Sequence, residues 1–344
     1  MSMNESYSRL VYDKDTPSTR EGASWFKENI VAMLLLILLL GVIVILSFFS
    51  NRPKEELAII ERVKEEKTHI AERLFSSLSL EAKAYMVYDM STGDIVYAQN
   101  KNAQLPLASL SKIMTAVVVS ENLLEDDVVT INPRDLLIEG DNGLLEGESW
   151  TVKSLSDFTL TVSSNDGASA LASAVEAWRS VGGKDIRFVD LMNNKAKELY
   201  LKQTYFLNTS GLDIEESTQS GSYGSIEDIT KLFAYALKNH PTLFQTTTDE
   251  EINFISKDNI THIVQNTNQS IRDIVGIFAS KTGYTDLAGG NLVIAFDAGL
   301  MQPYIISVLG SSKEGRFTDV QKLYETTRRF LEAQNEPREV ASSQ

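Results

Sequence analysis

Residues 30–49 read IVAMLLLILLLGVIVILSFF, twenty positions without a charge. At ~1.5 Å per residue a helix of that length matches the roughly 30 Å hydrocarbon thickness of a bilayer. The run is too long for the apolar part of a secretory signal, and no small-x-small cleavage pattern follows it. A membrane anchor is therefore the expectation, and it divides the chain. Residues 1–29 form a polar tail of mixed charge, 30–49 the transmembrane helix, 50–80 a helical stalk, 81–334 a globular domain and 335–344 a polar end. In the stalk, Leu57, Ile60, Val63, Ile70 and Leu74 recur at near-helical spacing. Lys64 and Lys67 interrupt the seam that a coiled coil needs, so the oligomeric state stays open. Arg20 and Lys27 flank one side of the anchor, Arg52 and Lys54 the other. Positive charge alone does not orient it.

Composition narrows the chemistry. The 344 residues are 43% hydrophobic and 23% charged, a globular balance with enough chain for a sizeable core. With no cysteine there is neither a disulfide framework nor a thiolate metal site. A net charge of −15 argues against a nucleic-acid partner. His69, His240 and His262 are far apart and outside any His-Glu-x-x-His pattern, which argues against a zinc hydrolase.

Two β-rich runs, 84–89 and 94–99, join through Ser91-Thr92-Gly93 as a hairpin. Helices are expected at about 109–122, 154–162, 166–179, 186–199 and 226–239. The last opens with Ser225-Ile226-Glu227-Asp228, which resembles a capping box. Strands follow at 275–281, 291–297 and 303–309, then an amphipathic helix at 317–333. Strands from both chain ends with helices between them give an α+β class: one antiparallel sheet flanked by helices, with a helical insertion.

Three short patterns carry chemistry. Ser109 and Lys112 stand three apart, which on a helix puts both on one face. A serine needs a neighbouring base to become a nucleophile, and a lysine is that base only when burial or a second cation lowers its pKa. Alone the pattern is weak: Ser24 and Lys27 repeat it, and a capping serine beside a solvated lysine is the plain alternative. Ser163-Ser164-Asn165 lies in a short helix–helix connection. The Ser163 hydroxyl can pass a proton to a leaving amine and the Asn165 amide can hold a substrate carbonyl, although a helix cap accounts equally well for the stretch. Lys281-Thr282-Gly283 closes the 275–281 strand. Lys281 supplies the second cation that would lower the Lys112 pKa, and with Thr282 it can bind a carboxylate. Gly283 leaves room for a substrate backbone against the strand edge.

Ser-x-x-Lys, Ser-x-Asn and Lys-Thr-Gly, in that order, form the motif set of the active-site serine penicillin-recognising enzymes. The chain resembles the low-molecular-mass penicillin-binding proteins, specifically the serine D-alanyl-D-alanine carboxypeptidases, over about 84–333. The flanks Leu105-Pro106-Leu107-Ala108, Asn208-Thr209-Ser210-Gly211-Leu212, Asn266-Thr267-Asn268 and Tyr284-Thr285 share the likeness. The resemblance implies a β-lactamase/transpeptidase-like fold with no metal or organic cofactor. It implies attack by Ser109 on the carbonyl between two terminal D-alanines of a peptidoglycan stem peptide, with Lys112 as base. Ser163 would relay the proton, Asn165, Lys281, Thr282 and Gly283 would bind substrate, and the backbone N–H groups of Ser109 and Tyr284 would form the oxyanion hole. β-Lactam antibiotics would be inhibitors, and the domain would stand outside the cytoplasm on a bacterial cell membrane.

Two departures stand out. Relatives often carry a β-rich domain after the catalytic one and a C-terminal tether; here the chain ends soon after Ala333 and the expected anchor is N-terminal. Competing readings are a D,D-endopeptidase of the same family, a class A-like β-lactamase with Glu198 as a candidate for the deacylating glutamate, and a wall-binding scaffold with a vestigial site.

Overall fold

The computed structural model describes residues 19–140, 143–181, 183, 186–214, 218–299 and 301–335; within its first helix the side chains of 19–28, 31 and 44–56 fall outside that description. The chain divides into two units, 1–65 and 66–344. The described residues of the first are helical, part of α1 (Thr19–Phe75). Its apolar side chains are exposed, Leu35 by 63% and Leu38 by 67%. Among the described residues no helix is long and apolar enough to cross a membrane. The expected anchor falls partly on residues outside that set, as do most of the polar tail and the polar end.

The second unit begins with the last turns of α1, whose Phe75 is buried between Tyr97, stacked at 5.2 Å, and Phe330, edge-on at 6.3 Å. Then come β1 (Ala84–Asp89), β2 (Ile95–Gln99), β3 (Leu105–Pro106), α2 (Ser111–Ser120), β4 (Val128–Thr130), β5 (Ser149–Thr151), α3 (Val152–Val162), α4 (Asn165–Val181), α5 (Phe188–Glu198), β6 (Tyr205–Phe206), β7 (Ser222–Gly224), α6 (Ile226–Asn239), β8 (Glu251–Ile255), β9 (Thr261–Gln265), β10 (Ile277–Thr285), β11 (Gly289–Asp297), β12 (Pro303–Ser311) and α7 (Gly315–Asn335). The main sheet is antiparallel, in the order β10-β11-β12-β1-β2. The first and last strands are thus neighbours, as strands drawn from both chain ends require.

The central strands are covered on both faces, which explains their near-continuous apolar sequence. Alternation sorts the faces. Leu292, Ile294, Phe296, Ile306 and Val308 pack with Val320 and Leu323 of α7. Val293, Ala295, Ile305 and Met86 belong to the core of the helical lobe. At the centre of that lobe lies α2, buried from Ser111 through Val119.

The expected hairpin and helices form, with three differences. Ser225 caps α6, its Oγ accepting from Asp228 N at 3.1 Å. Asp228 does not complete a box: its carboxylate accepts instead from Gln203 N at 2.7 Å and Thr204 Oγ1 at 3.0 Å. The third β-run of the sequence extends to Thr285, so Lys281-Thr282-Gly283 lies within β10 and does not close it. The hairpin of β8 and β9, paired Asn253 to Ile263, had no counterpart in the sequence reading.

Candidate active site

The nucleophile turn is held from three sides. Leu105 and Pro106 pair with Gly224 and Tyr223 of β7. Asn291, fully buried on β11, donates its amide to Pro106 O at 3.1 Å and Leu107 O at 3.0 Å. Ala108 then takes a left-handed φ of +48° and starts a short 3-10 turn through Leu110, from which α2 continues. Ser111 Oγ donates to Ala108 O at 2.8 Å and is hydrogen-bonded to Ser222 Oγ. Ser109 therefore sits in the turn before α2, one step earlier than expected, yet still one turn from Lys112.

Lys112 is 1% exposed. Its Nζ donates to Ser109 Oγ at 2.9 Å, Asn165 Oδ1 at 2.8 Å and Ser210 O at 3.0 Å. Burial lowers its pKa to about 7. That places an unprotonated amine beside the Ser109 hydroxyl near neutral pH, the condition for a general base. Of the two causes anticipated, burial or a second cation, desolvation of Lys112 is the one that brings its pKa down.

The connection between α3 and α4 presents a second hydroxyl. Ser163 ends α3 in the left-handed region, φ +63°. Ser164 does the capping, its Oγ accepting from Gly167 N at 3.0 Å. Asn165 is thereby free to face Lys112. Its Nδ2, however, donates to Glu139 O at 2.7 Å. Its Oδ1 and one N–H are engaged, so Asn165 positions Lys112 while its amide keeps a second N–H donor of the kind a substrate carbonyl needs.

Lys281, also 1% exposed, donates to Ser163 Oγ at 2.8 Å and Thr282 O at 2.9 Å. Its pKa lies well below the ordinary lysine value, through burial first and then through the charges of Lys112 and Arg316. Two buried ammoniums near one another cannot both hold a proton cheaply, so the pair favours one charge and one lone pair. The Thr282 hydroxyl is within 2.6 Å of Thr267 Oγ1. At Gly283 a Cβ would lie 3.0 Å from Leu107 O and 3.2 Å from Ser109 N. The missing side chain lets β10 close on the nucleophile turn. Tyr284 follows with a half-exposed ring, and its backbone N–H lies one residue beyond this contact.

The hydrogen bonds thus fall into two sets, Ser109–Lys112–Asn165 and Ser163–Lys281, joined by mutual repulsion of the lysines. Asn291, Ser210, Thr267 and Arg316 support them; Ser210 and Thr267 lie in the flanks that carry the family likeness, whereas no spacing pattern in the sequence singled out Asn291 or Arg316. Glu198 lies away from this machinery: it closes α5, is 63% exposed along its side chain and pairs with Lys195 at 2.8 Å.

The model of the D-alanyl-D-alanine carboxypeptidase family matches residues 69–313. The D-alanyl-D-alanine carboxypeptidase DacF of Bacillus subtilis is 32% identical over 254 residues, covering 72% of this chain and 62% of the relative. The chain thus spans about three fifths of the length of that curated relative. A crystal structure of D-alanyl-D-alanine carboxypeptidase from Mycobacterium tuberculosis is similar with a TM-score of 0.63 and 27% identity, covering 73% of this chain and 92% of that one. Penicillin-Binding Protein D2 of Listeria monocytogenes, in its ampicillin-bound form, gives 0.62 and 28%, covering 73% and 98%.

Proposed function

The chain belongs to the D-alanyl-D-alanine carboxypeptidase family, and from that premise we propose that it removes the terminal D-alanine from peptidoglycan stem peptides through an ester on Ser109. The observation that carries the reading is the 2.9 Å contact between Ser109 Oγ and a buried Lys112 amine whose pKa is about 7. Neutral Lys112 takes the hydroxyl proton as Oγ bonds to the penultimate carbonyl carbon. The N–H groups of Ser109 and Tyr284 stabilise the oxyanion. Ser163, held by Lys281, hands a proton to the departing D-alanine nitrogen as the C–N bond breaks. Lys281 and Thr282 hold the substrate's terminal carboxylate, and water then hydrolyses the ester. Penicillins acylate the same hydroxyl, and with Glu198 remote from it their release is slow.

The domain is tethered to a bacterial cell membrane by residues 30–49, single-pass, with the N-terminal tail cytoplasmic and the catalytic unit outside, where its substrate lies. Support comes from the uncharged run and from its exposed apolar side chains, which are costly to leave in water.

A stem pentapeptide incubated with the enzyme should lose one alanine by mass spectrometry, and Ser109→Ala should abolish covalent labelling by a fluorescent penicillin. Cleavage of cross-linked dimers without trimming of the pentapeptide would indicate the endopeptidase, and rapid penicillin turnover a β-lactamase. Labelling that persists in Ser109→Ala would refute the nucleophile. Protection of the domain from protease in intact spheroplasts would contradict the topology.

A further inference from the structure

We propose that Arg316 is a positioning residue of the oxyanion hole, acting through the single peptide group that joins Gly283 to Tyr284. The inference rests on the serine-acylation reading above, in which the Tyr284 N–H is one of the two donors. Arg316 lies in the first turn of α7 and is 7% exposed. Its Nη1 donates to Gly283 O at 2.8 Å. Its Nε is buried with no hydrogen-bond partner, and among the described residues no carboxylate forms an ion pair with it. Burial works against its charge and the Glu314 carboxylate favours it; a buried cation with no carboxylate in ion-pair contact is costly to keep, a cost that a purely structural residue could avoid with an apolar side chain.

Gly283 C=O and Tyr284 N–H are opposite ends of one planar, conjugated unit. A guanidinium on the oxygen draws electron density towards itself, leaves the N–H at the far end more positive, and fixes the plane. The peptide runs in the right place for this to matter, since a Cβ on Gly283 would lie 3.2 Å from Ser109 N, the other donor. The access of Arg316 is built in. Gly290 pairs with Tyr284 across the ladder, and a Cβ on Gly290 would lie 2.0 Å from Ser312 O and 3.3 Å from Arg316 Cβ. The ring of Phe317, 4.6 Å from the guanidinium carbon, covers one face of the cation. The same charge reaches the cleft as one cause of the low Lys281 pKa.

The test uses the full chain acylated by a penicillin carrying a ¹³C-labelled β-lactam carbonyl. Arg316→Met removes charge and donor; Arg316→Gln removes charge but keeps a polar tip, so that a folded neutral variant is at hand if the first fails. Removing an oxyanion donor outright costs about 10²–10³-fold, so losing the polarisation of one donor should slow acylation about tenfold. The isotope-edited infrared band of the ester carbonyl should rise in frequency as its hydrogen bond weakens, and Arg316→Lys should recover part of both effects. A folded neutral variant with the wild-type band overturns the proposal, whether its rate is normal or slowed, because a slowed rate alone marks a residue that only packs. If the wild-type chain itself forms no ester at Ser109, the serine-acylation reading fails and this inference falls with it.

Discussion

Lys112 should make both catalysis and stability depend on pH in a calculable way. Lowering a lysine from its ordinary 10.5 to about 7 corresponds, at ~1.36 kcal/mol per pH unit, to about 5 kcal/mol favouring the neutral amine in the folded protein. At pH 7 about half the molecules then hold Lys112 as a free base, against roughly one in 3,000 for an ordinary lysine. Acylation by a chromogenic penicillin, followed by stopped flow, should therefore rise about tenfold per pH unit up to near 7 and level off above 8. Stability follows the same proton. Below pH 7 Lys112 is charged in both states and its burial costs the full amount. Between 7 and 10.5 the unfolded chain binds the proton that the folded one has released, so stability rises with pH. Lys112→Met removes that cost but strips Ser109, Asn165 and Ser210 of a donor, at about 1 kcal/mol each. Urea denaturation should find the Met variant more stable by about 2 kcal/mol at pH 6, with the two curves crossing at about pH 8–9. An acylation rate flat from pH 5 to 9, or breaking only near 10, would refute the reasoning, as would a Met variant less stable at every pH.

Two further substitutions test the support of the site. Asn165→Asp places a carboxylate where Lys112 Nζ now donates at 2.8 Å, which raises the Lys112 pKa; the rise in the acylation profile should move to higher pH by a unit or more, and an unmoved profile would separate Asn165 from the base. Gly211→Ala sets a Cβ 1.9 Å from Ala108 O at a residue with φ +79°. It should cost several kcal/mol in urea and slow acylation through displacement of the nucleophile turn, and a variant with wild-type stability and rate would contradict the close packing.

Much of this was legible before any coordinates. Spacing alone put Ser109 and Lys112 on one face, and the β-rich runs located all five strands of the main sheet, β1 and β2 in full and β10, β11 and β12 in part. What escaped has physical reasons. Whether Lys112 is lowered by burial or by a second cation depends on how much protein surrounds it, and only the complete fold sets that. Gly283 reads as room for a ligand, and only the distance to Ser109 N shows that a neighbouring turn packs there as well. Asn291 sits more than 180 positions from the turn it supports and Arg316 33 from the Gly283 carbonyl it meets, so no local pattern connects them. The strands around Asn253 and Ile263 alternate exposed and covered positions, but exposed Ile255 and Ile263 and a covered His262 blur that alternation in the residue types, so little in the sequence marks their hairpin.

Two of the left-handed non-glycine residues, Ala108 and Ser163, show where the fold accepts strain and why. Each costs about 1–2 kcal/mol relative to glycine at the same φ, and glycine would remove that cost. At 163 glycine would delete the hydroxyl that Lys281 holds. At 108 the reason is steric: the Ala108 methyl lies 3.3 Å from where a Cβ on Gly283 would stand, so methyl and missing methyl fit together as β10 meets the nucleophile turn. The small residue is needed on the strand, where the peptide to Tyr284 must approach Ser109 N, and the larger one on the turn, where it fills the space that approach leaves. Exchanging the two, glycine at 108 and alanine at 283, would preserve the atom count of the contact yet bring the new Cβ to 3.0 Å from Leu107 O, pushing one oxyanion donor away from the other.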